Sequence, residues 1–255
     1  MIKTEELIFH KVNNAELTMR IFTPGNIKAN EKRPAVIFFF GGAWRTGDIE
    51  AFKPKSEYLA ERGIVCFTPE YRIYSKHKVR PWDCVKDAKA AVKWVRDNCE
   101  KYHVDPERIA VGGGSAGGHL ALCTAMLKNK PYDGQDIWKI PKAMLLYNPA
   151  VTFSRKGITA KNFPLIKLLI LKSKKISPMD YICADTPPAI IFHGTADDTI
   201  PYSIIEEFRD KMKSKGRECE IVPYEGRKHA FFHKDPDYSD IMARTYKFLT
   251  AHGWR

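Results

Sequence analysis

Six apolar runs of five or six residues, at positions 35–40, 63–68, 108–112, 143–147, 189–193 and 219–224, recur along this chain with helix-patterned stretches between them. The runs are rich in β-branched and aromatic residues and do not alternate with polar ones, as expected of parallel strands buried on both faces. The stretch 82–99 shows the intervening pattern: Val85, Ala88, Val92 and Val95 recur at helical spacing, with Pro81 just before the first turn. Such alternation predicts a mostly parallel sheet covered by helices, the α/β class. Two N-terminal segments, 6–11 and 17–23, alternate more and predict an antiparallel edge hairpin across Asn13-Asn14. No internal repeat or low-complexity linker divides the 255 residues, so a single domain over 1–255 is expected.

A hydrophobic content of 44% supplies material for a core, and no apolar run approaches the ~18 residues of a membrane span. The segment from Met1 to Leu7 is charged and lacks a signal peptide's apolar stretch. A cytoplasmic protein is expected, or a secreted one whose leader has been removed. Cys66, Cys84, Cys99, Cys123, Cys183 and Cys219 are scattered without a C-x-x-C pair, which argues against a disulfide scaffold and a zinc site. Cys66 and Cys123 read as small core residues. The net charge of +12 bears on solubility and partners rather than fold, and no nucleic-acid-binding motif accompanies it.

The strongest chemical signal is Arg108-Ile109-Ala110-Val111-Gly112-Gly113-Gly114-Ser115-Ala116-Gly117-Gly118-His119. It reads as a strand, a G-x-S-x-G turn at 113–117, then a helix through Leu120, Ala121 and Met126. This is the pattern of a nucleophile elbow, in which Ser115 sits on a tight strand-to-helix turn that lifts its hydroxyl above the sheet. Glycines flank the serine because the turn strains the backbone and leaves no room for a Cβ. The following helix points its first N–H groups at developing negative charge.

Such chemistry needs further N–H donors from the loop after an earlier strand. The run Val36-Ile37-Phe38-Phe39-Phe40 leads into Gly41-Gly42-Ala43-Trp44-Arg45-Thr46-Gly47. With these motifs the sequence resembles the α/β-hydrolase serine esterases of the hormone-sensitive-lipase-like group, and within them the acetyl xylan and feruloyl esterase-like enzymes. The family's loop reads H-G-G-G followed by an aromatic. Phe40 stands here in place of the histidine and Ala43 in place of the third glycine. Neither change removes a backbone donor, so Gly41, Gly42 and Ala116 are the expected oxyanion donors, with Ala43 in reserve. The missing histidine leaves open how the loop is held. Trp44 is expected in the substrate pocket.

Family order after the serine is acid, then histidine. His193-Gly194-Thr195-Ala196-Asp197-Asp198-Thr199-Ile200-Pro201 resembles the family's H-G-x-x-D-x-x-V/I-P, which selects Asp197 as the acid. Asp198 stays open as its neighbour. Gly226-Arg227-Lys228-His229-Ala230-Phe231 resembles the family's G-x-x-H-x-F and selects His229 as base. His119 reads as helix packing, His193 as a brace for the acid turn, and His233 as a surface residue at the start of the last helix. The resemblance runs from about Pro34 to His233, including Asp105-Pro106-Glu107-Arg108 before the elbow and Ile176-Ser177-Pro178 before the acid strand.

Residues 153–175 hold seven basic side chains and no acidic one. They fall in an insertion at about 152–180, which is a structural helix with a basic rim or a cap over the serine. The implied reaction is hydrolysis of short-acyl carboxylic esters through an acyl-enzyme, on acetyl or feruloyl esters of carbohydrate by the resemblance. A small peptidase or amidase and a catalytically inactive ligand-binding relative remain alternatives. No cofactor and no metal are expected, and the expected partner is a small-molecule or oligosaccharide ester. Nucleic acid and stable membrane insertion are not expected, and the oligomeric state stays open.

Overall fold

The structure, a computed structural model, describes residues 1–28, 30–127, 140–153 and 174–255. Eight strands are β1 (Ile2–Val12), β2 (Ala15–Pro24), β3 (Arg33–Phe39), β4 (Val65–Pro69), β5 (Val104–Gly114), β6 (Pro141–Tyr147), β7 (Ala189–Gly194) and β8 (Cys219–Tyr224). They form one sheet in the order β1-β2-β4-β3-β5-β6-β7-β8. β1 pairs antiparallel with β2, and β2 antiparallel with β4. Every pair from β4 onward is parallel. The expected α/β class and N-terminal edge hairpin are therefore both present. Asn13 turns the hairpin at φ 51, a left-handed conformation that Asn tolerates well.

In β3, β6 and β7 every residue is buried except Arg33 and Lys142. Both faces of the central sheet are thus covered, which is why these strands read as continuous apolar runs. The helices are α1 (Lys53–Ala60), α2 (Tyr74–His77), α3 (Pro81–Asp97), α4 (Ala116–Met126), α5 (Tyr202–Ser214) and α6 (Asp237–Ala251). α4 is buried on all sides, so its apolar character shows no stripe.

β1, β2, β3, β5 and β6 extend beyond their expected starts, and two other boundaries move for local reasons. β4 begins at Val65 rather than 63, because Gly63, at φ 90, closes α1 while Ile64 N–H donates to Leu59 O at 3.1 Å. α3 stops at Asp97 rather than 99, because the Asn98 side-chain amide donates to Trp94 O at 2.8 Å and so satisfies a terminal carbonyl.

Parallel register aligns the strand ends. Phe39 pairs with Gly113, Gly114 with Tyr147, Tyr147 with Phe192, and Gly194 with Tyr224. The loops leaving β3, β5, β6, β7 and β8 therefore emerge side by side at the carboxyl edge, where open α/β sheets build their sites. Most of the insertion expected at 152–180 lies outside the described residues.

Candidate active site

Ser115 follows β5 directly and caps α4, with φ 53 and ψ −116. That conformation is costly for a residue with a Cβ. It is held by three backbone bonds: Ser115 N–H donates to Tyr147 O at 2.9 Å, and Ser115 O accepts from His119 N at 3.0 Å and Ala150 N at 3.2 Å. The turn is so tight that a Cβ on Gly117 would stand 2.0 Å from Phe39 O and 2.3 Å from Phe40 O. Glycine at 117 is therefore a requirement of close approach.

His229 lies on the loop after β8. Its Nε2 is 2.9 Å from Ser115 Oγ, and its Nδ1 is 2.8 Å from Asp197 Oδ2. Asp197, on the loop after β7, has no exposed side-chain surface, whereas His229 keeps 20% of its side chain open. Asp197 Oδ1 accepts from Thr199 N and Ile200 N, each at 2.9 Å. Burial pushes the Asp197 carboxyl up, but hydrogen bonding and charge from His229, the Ile200 N–H and His193 together hold it below the ordinary carboxylate range. Asp198 is exposed, and its Oδ1 accepts from Thr199 Oγ1 at 3.4 Å.

The other histidines divide cleanly. His119 is fully buried, meets Ile176 O at 2.7 Å, and packs edge-on against Trp44 and Phe153. Burial pushes it down to about 4, so it stays neutral. His193 is buried and meets Ile200 O at 2.9 Å. It braces the turn that carries Asp197, and burial lowers it too. His233 is exposed, as expected, but it does not start the last helix. It ends a short 3-10 turn (Phe231–His233), lines the cleft, and precedes the start of α6 at Asp237. The cis Asp235-Pro236 bond and Pro236 separate the turn from the helix.

Gly41, Gly42, Ala43 and Trp44 line one cleft with Ser115 and His229. Gly42 O accepts from Arg45 N and Thr46 N at 3.0 Å, which folds the loop back on itself. Gly42, Ala43 and Trp44 adopt φ of 122, 54 and 59, so Ala43 takes the conformation that the family's third glycine would take freely. Among the described residues, the N–H groups of Gly41, Gly42 and Ala43 make no turn or loop bond to a backbone acceptor, and Ala116 N–H is in the first turn of α4, where no intrahelical acceptor exists. The missing histidine is replaced by a different support. The Tyr71 ring stacks on Phe40 at 4.2 Å, and its hydroxyl donates to Phe40 O at 2.8 Å. Tyr74 N and Ser75 N donate to Trp44 O and Arg45 O, each at 3.0 Å. The 71–75 segment is in turn fixed to α3 by a buried bidentate Arg72–Asp87 pair, both contacts 2.8 Å. Removing one partner of such a pair typically costs about 3–5 kcal/mol.

The cleft measures about 560 Å³, and its described walls include Ala51, Ala150, Ile200 and Phe232. Trp44, expected in the pocket, lines it while only 5% exposed. Two residues that touch this machinery were missed in the sequence: Tyr71 and Asn148. Asn148 follows β6 immediately, and a polar residue just past an apolar run was the available signal. Among the described residues, no group of three or more His, Cys, Asp or Glu is arranged to hold a metal ion. No described helix is long and apolar enough to cross a membrane.

A mostly parallel sheet presenting a serine elbow, a histidine and a buried carboxylate on its carboxyl edge defines an α/β-hydrolase. A family model described as BD-FAE matches residues 19–146, half of the chain, and one described as the prolyl oligopeptidase family matches 153–253. The chain belongs to the BD-FAE family and has the α/β-hydrolase fold. It is 30% identical over 218 residues to a probable carboxylic ester hydrolase, LipM, of Mycobacterium tuberculosis, covering 78% of this chain and 49% of that protein. The chain thus spans about half the length of the curated relatives it matches. Among solved structures, Thermogutta terrifontis esterase 2 phosphoramylated by tabun is 38% identical, with a TM-score of 0.90 over 98% of this chain and 95% of that one. The propionate-bound form of the same esterase gives 38% and 0.89 over the same shares.

Proposed function

We propose that this chain hydrolyses short-acyl carboxylic esters through an acyl-enzyme, with Ser115 as nucleophile, His229 as base and then acid, and Asp197 as the orienting carboxylate. The observation that carries this reading is the unbroken Asp197–His229–Ser115 line of hydrogen bonds at 2.8 and 2.9 Å, opening on the cleft. Asp197 accepts the Nδ1–H of His229 and so leaves the Nε2 lone pair facing the Ser115 hydroxyl. His229 takes that proton as Ser115 Oγ bonds to the ester carbonyl carbon. The resulting oxyanion is received by the N–H groups of Gly41, Gly42 and Ala116. Collapse of this intermediate breaks the bond to the alkoxy oxygen, and His229 returns the proton to the departing alcohol. Water then attacks the acyl-Ser115 ester with His229 again as base, releasing the carboxylic acid and restoring the hydroxyl.

Short acyl groups are supported by the propionate that the Thermogutta enzyme binds. Acetyl or feruloyl esters of carbohydrate are the natural class we favour, on the strength of the loop and elbow motifs. Amide cleavage is the second reading, favoured by the prolyl oligopeptidase match over the segment that carries Asp197 and His229. A nitrophenyl ester series of rising chain length, acetylated xylan, methyl ferulate and a peptide nitroanilide separate these readings. Activity peaking at two to four carbons, and a Ser115→Ala variant slowed by roughly 10³-fold or more with folding intact, are the expected results. A variant that kept a tenth of wild-type rate would remove Ser115 as nucleophile. Faster turnover of the nitroanilide than of any ester would move the assignment to amide cleavage.

A further inference from the structure

Asn148 stands where the three functional loops meet. It is fully buried at φ 44, and its backbone N–H donates to Phe192 O at 2.9 Å. Its side-chain amide makes two contacts that fix its orientation. Nδ2 donates to Asp197 Oδ2 at 3.1 Å, and Oδ1 accepts from Ala230 N at 3.2 Å. The carboxylate can only accept and the peptide N–H can only donate, so no flipped amide satisfies both. Asp197 Oδ2 is the oxygen that also meets His229 Nδ1, and Ala230 is the residue after His229. The chain beside Asn148 completes the joint, since Tyr147 O and Ala150 N hold the Ser115 backbone from both sides.

We propose that Asn148 is a positioning residue for the reaction: its amide clamps Asp197 to the His229 loop and sets how strongly that carboxylate holds the protonated base. This rests on the assignment of Ser115, His229 and Asp197 above. A carboxylate oxygen shared between two donors divides its charge between them. With the amide removed, Asp197 Oδ2 turns wholly to His229, the imidazolium is held more tightly, and the base is freed of its proton only at higher pH. The His229 loop also loses the acceptor for Ala230 N and with it part of its registration on Ser115. The titratable groups facing the pair are the Ser115 hydroxyl, His193 from β7 at 3.4 Å from Asp197 Oδ2, and His233 across the cleft. Burial lowers His193, and desolvation with the nearby Lys55 charge lowers His233 to about 4.

The test is the pH profile of kcat/KM for nitrophenyl acetate in Asn148→Gly, which tolerates the positive φ and deletes the amide together with its Cβ. Active sites are counted by a stoichiometric organophosphate burst, so partly unfolded material does not enter the rate. The expected result is a kcat about 10–100-fold lower with KM within a few-fold, and an acid limb displaced upward by about half a pH unit or more. Asn148→Ala, which deletes the same amide but keeps a Cβ, should displace the limb in the same direction. An acid limb that stays at its wild-type position in both variants, whatever happens to thermal stability, overturns the proposal. Ser115→Ala, assayed per mole of folded protein, separates the two failures. If it is inactive and the limb is unmoved, only the role of Asn148 falls. If it is active, the nucleophile falls and the clamp with it.

Discussion

At the carboxyl end of β7, two adjacent aspartates compete for one role, and burial separates them. Asp197 has no exposed side-chain surface and reaches His229, while Asp198 is exposed. Replacing Asp197 by Asn keeps the shape but presents a donor to Nδ1, so the imidazole turns its other tautomer toward Ser115. Asp197→Asn should therefore lower kcat by roughly 10³–10⁴-fold, and Asp198→Asn should leave it within a few-fold of wild type. Steady-state kinetics on one nitrophenyl ester decides, and the reverse ranking would move the acid by one position. Both residues were legible in the sequence, because the spacing from His193-Gly194 to Ile200-Pro201 marks the turn. Asn148 was not, since an asparagine after a strand reads as an ordinary turn residue. Its partners lie 49 and 82 positions away, and only the fold brings them into range.

The same division holds for whole elements. The strands β3, β6 and β7 left legible apolar runs because burial on both faces leaves no polar alternation, and the start of β4 and the end of α3 moved through a turn bond and a cap. What holds the elements to the site was not legible. The oxyanion loop rests on Tyr71, 31 positions from Phe40, and α1 reaches the base loop through a buried lysine. Lys55 is 1% exposed and its Nζ donates to Phe232 O at 2.7 Å. Four rings surround it: Tyr238 at 4.7 Å, Phe232 at 5.3 Å, Tyr147 at 5.4 Å and Phe52 at 5.7 Å. The ring faces favour the cation, yet burial drives its pKa down to about 7. An unfolded chain holds that proton to about 10.4. Between these values the unfolded state binds the extra proton, so Lys55 makes stability rise with pH across the window, and its penalty is full below about 7. Lys55→Met removes this dependence along with the bond to Phe232 O, which is worth about 1 kcal/mol. The melting temperature of the variant relative to wild type should be highest near pH 6.5 and decline steadily toward pH 10. A constant difference over that range would mean that Lys55 keeps its proton in the fold.

Across the whole molecule the notable property is charge. The chain carries 42 basic and 30 acidic side chains, a net charge of +12. Residues 153–175, with seven basic side chains and no acidic one, lie mostly outside the described residues. The described lining of the cleft holds Arg45, two histidines and no carboxylate. The Arg45 guanidinium lies over the Tyr74 ring at 4.9 Å, and its backbone is tied at both ends, to Gly42 O and from Ser75 N. A fixed cation at the mouth, backed by a positive molecule, raises the encounter rate of anionic substrates. Salt removes that advantage, since the Debye length falls from about 30 Å at 0.01 M to about 3 Å at 1 M. For an ester bearing a remote carboxylate, such as a nitrophenyl hemisuccinate, kcat/KM should fall several-fold over that range. Neutral nitrophenyl acetate should hold its rate, because its encounter does not depend on charge. Arg45→Met should flatten the salt response of the anionic ester and leave that of the neutral one alone. Parallel salt curves for the two esters in the wild-type protein would mean that the net positive charge does not reach the cleft, and that the reaction is indifferent to the charge of what it cleaves.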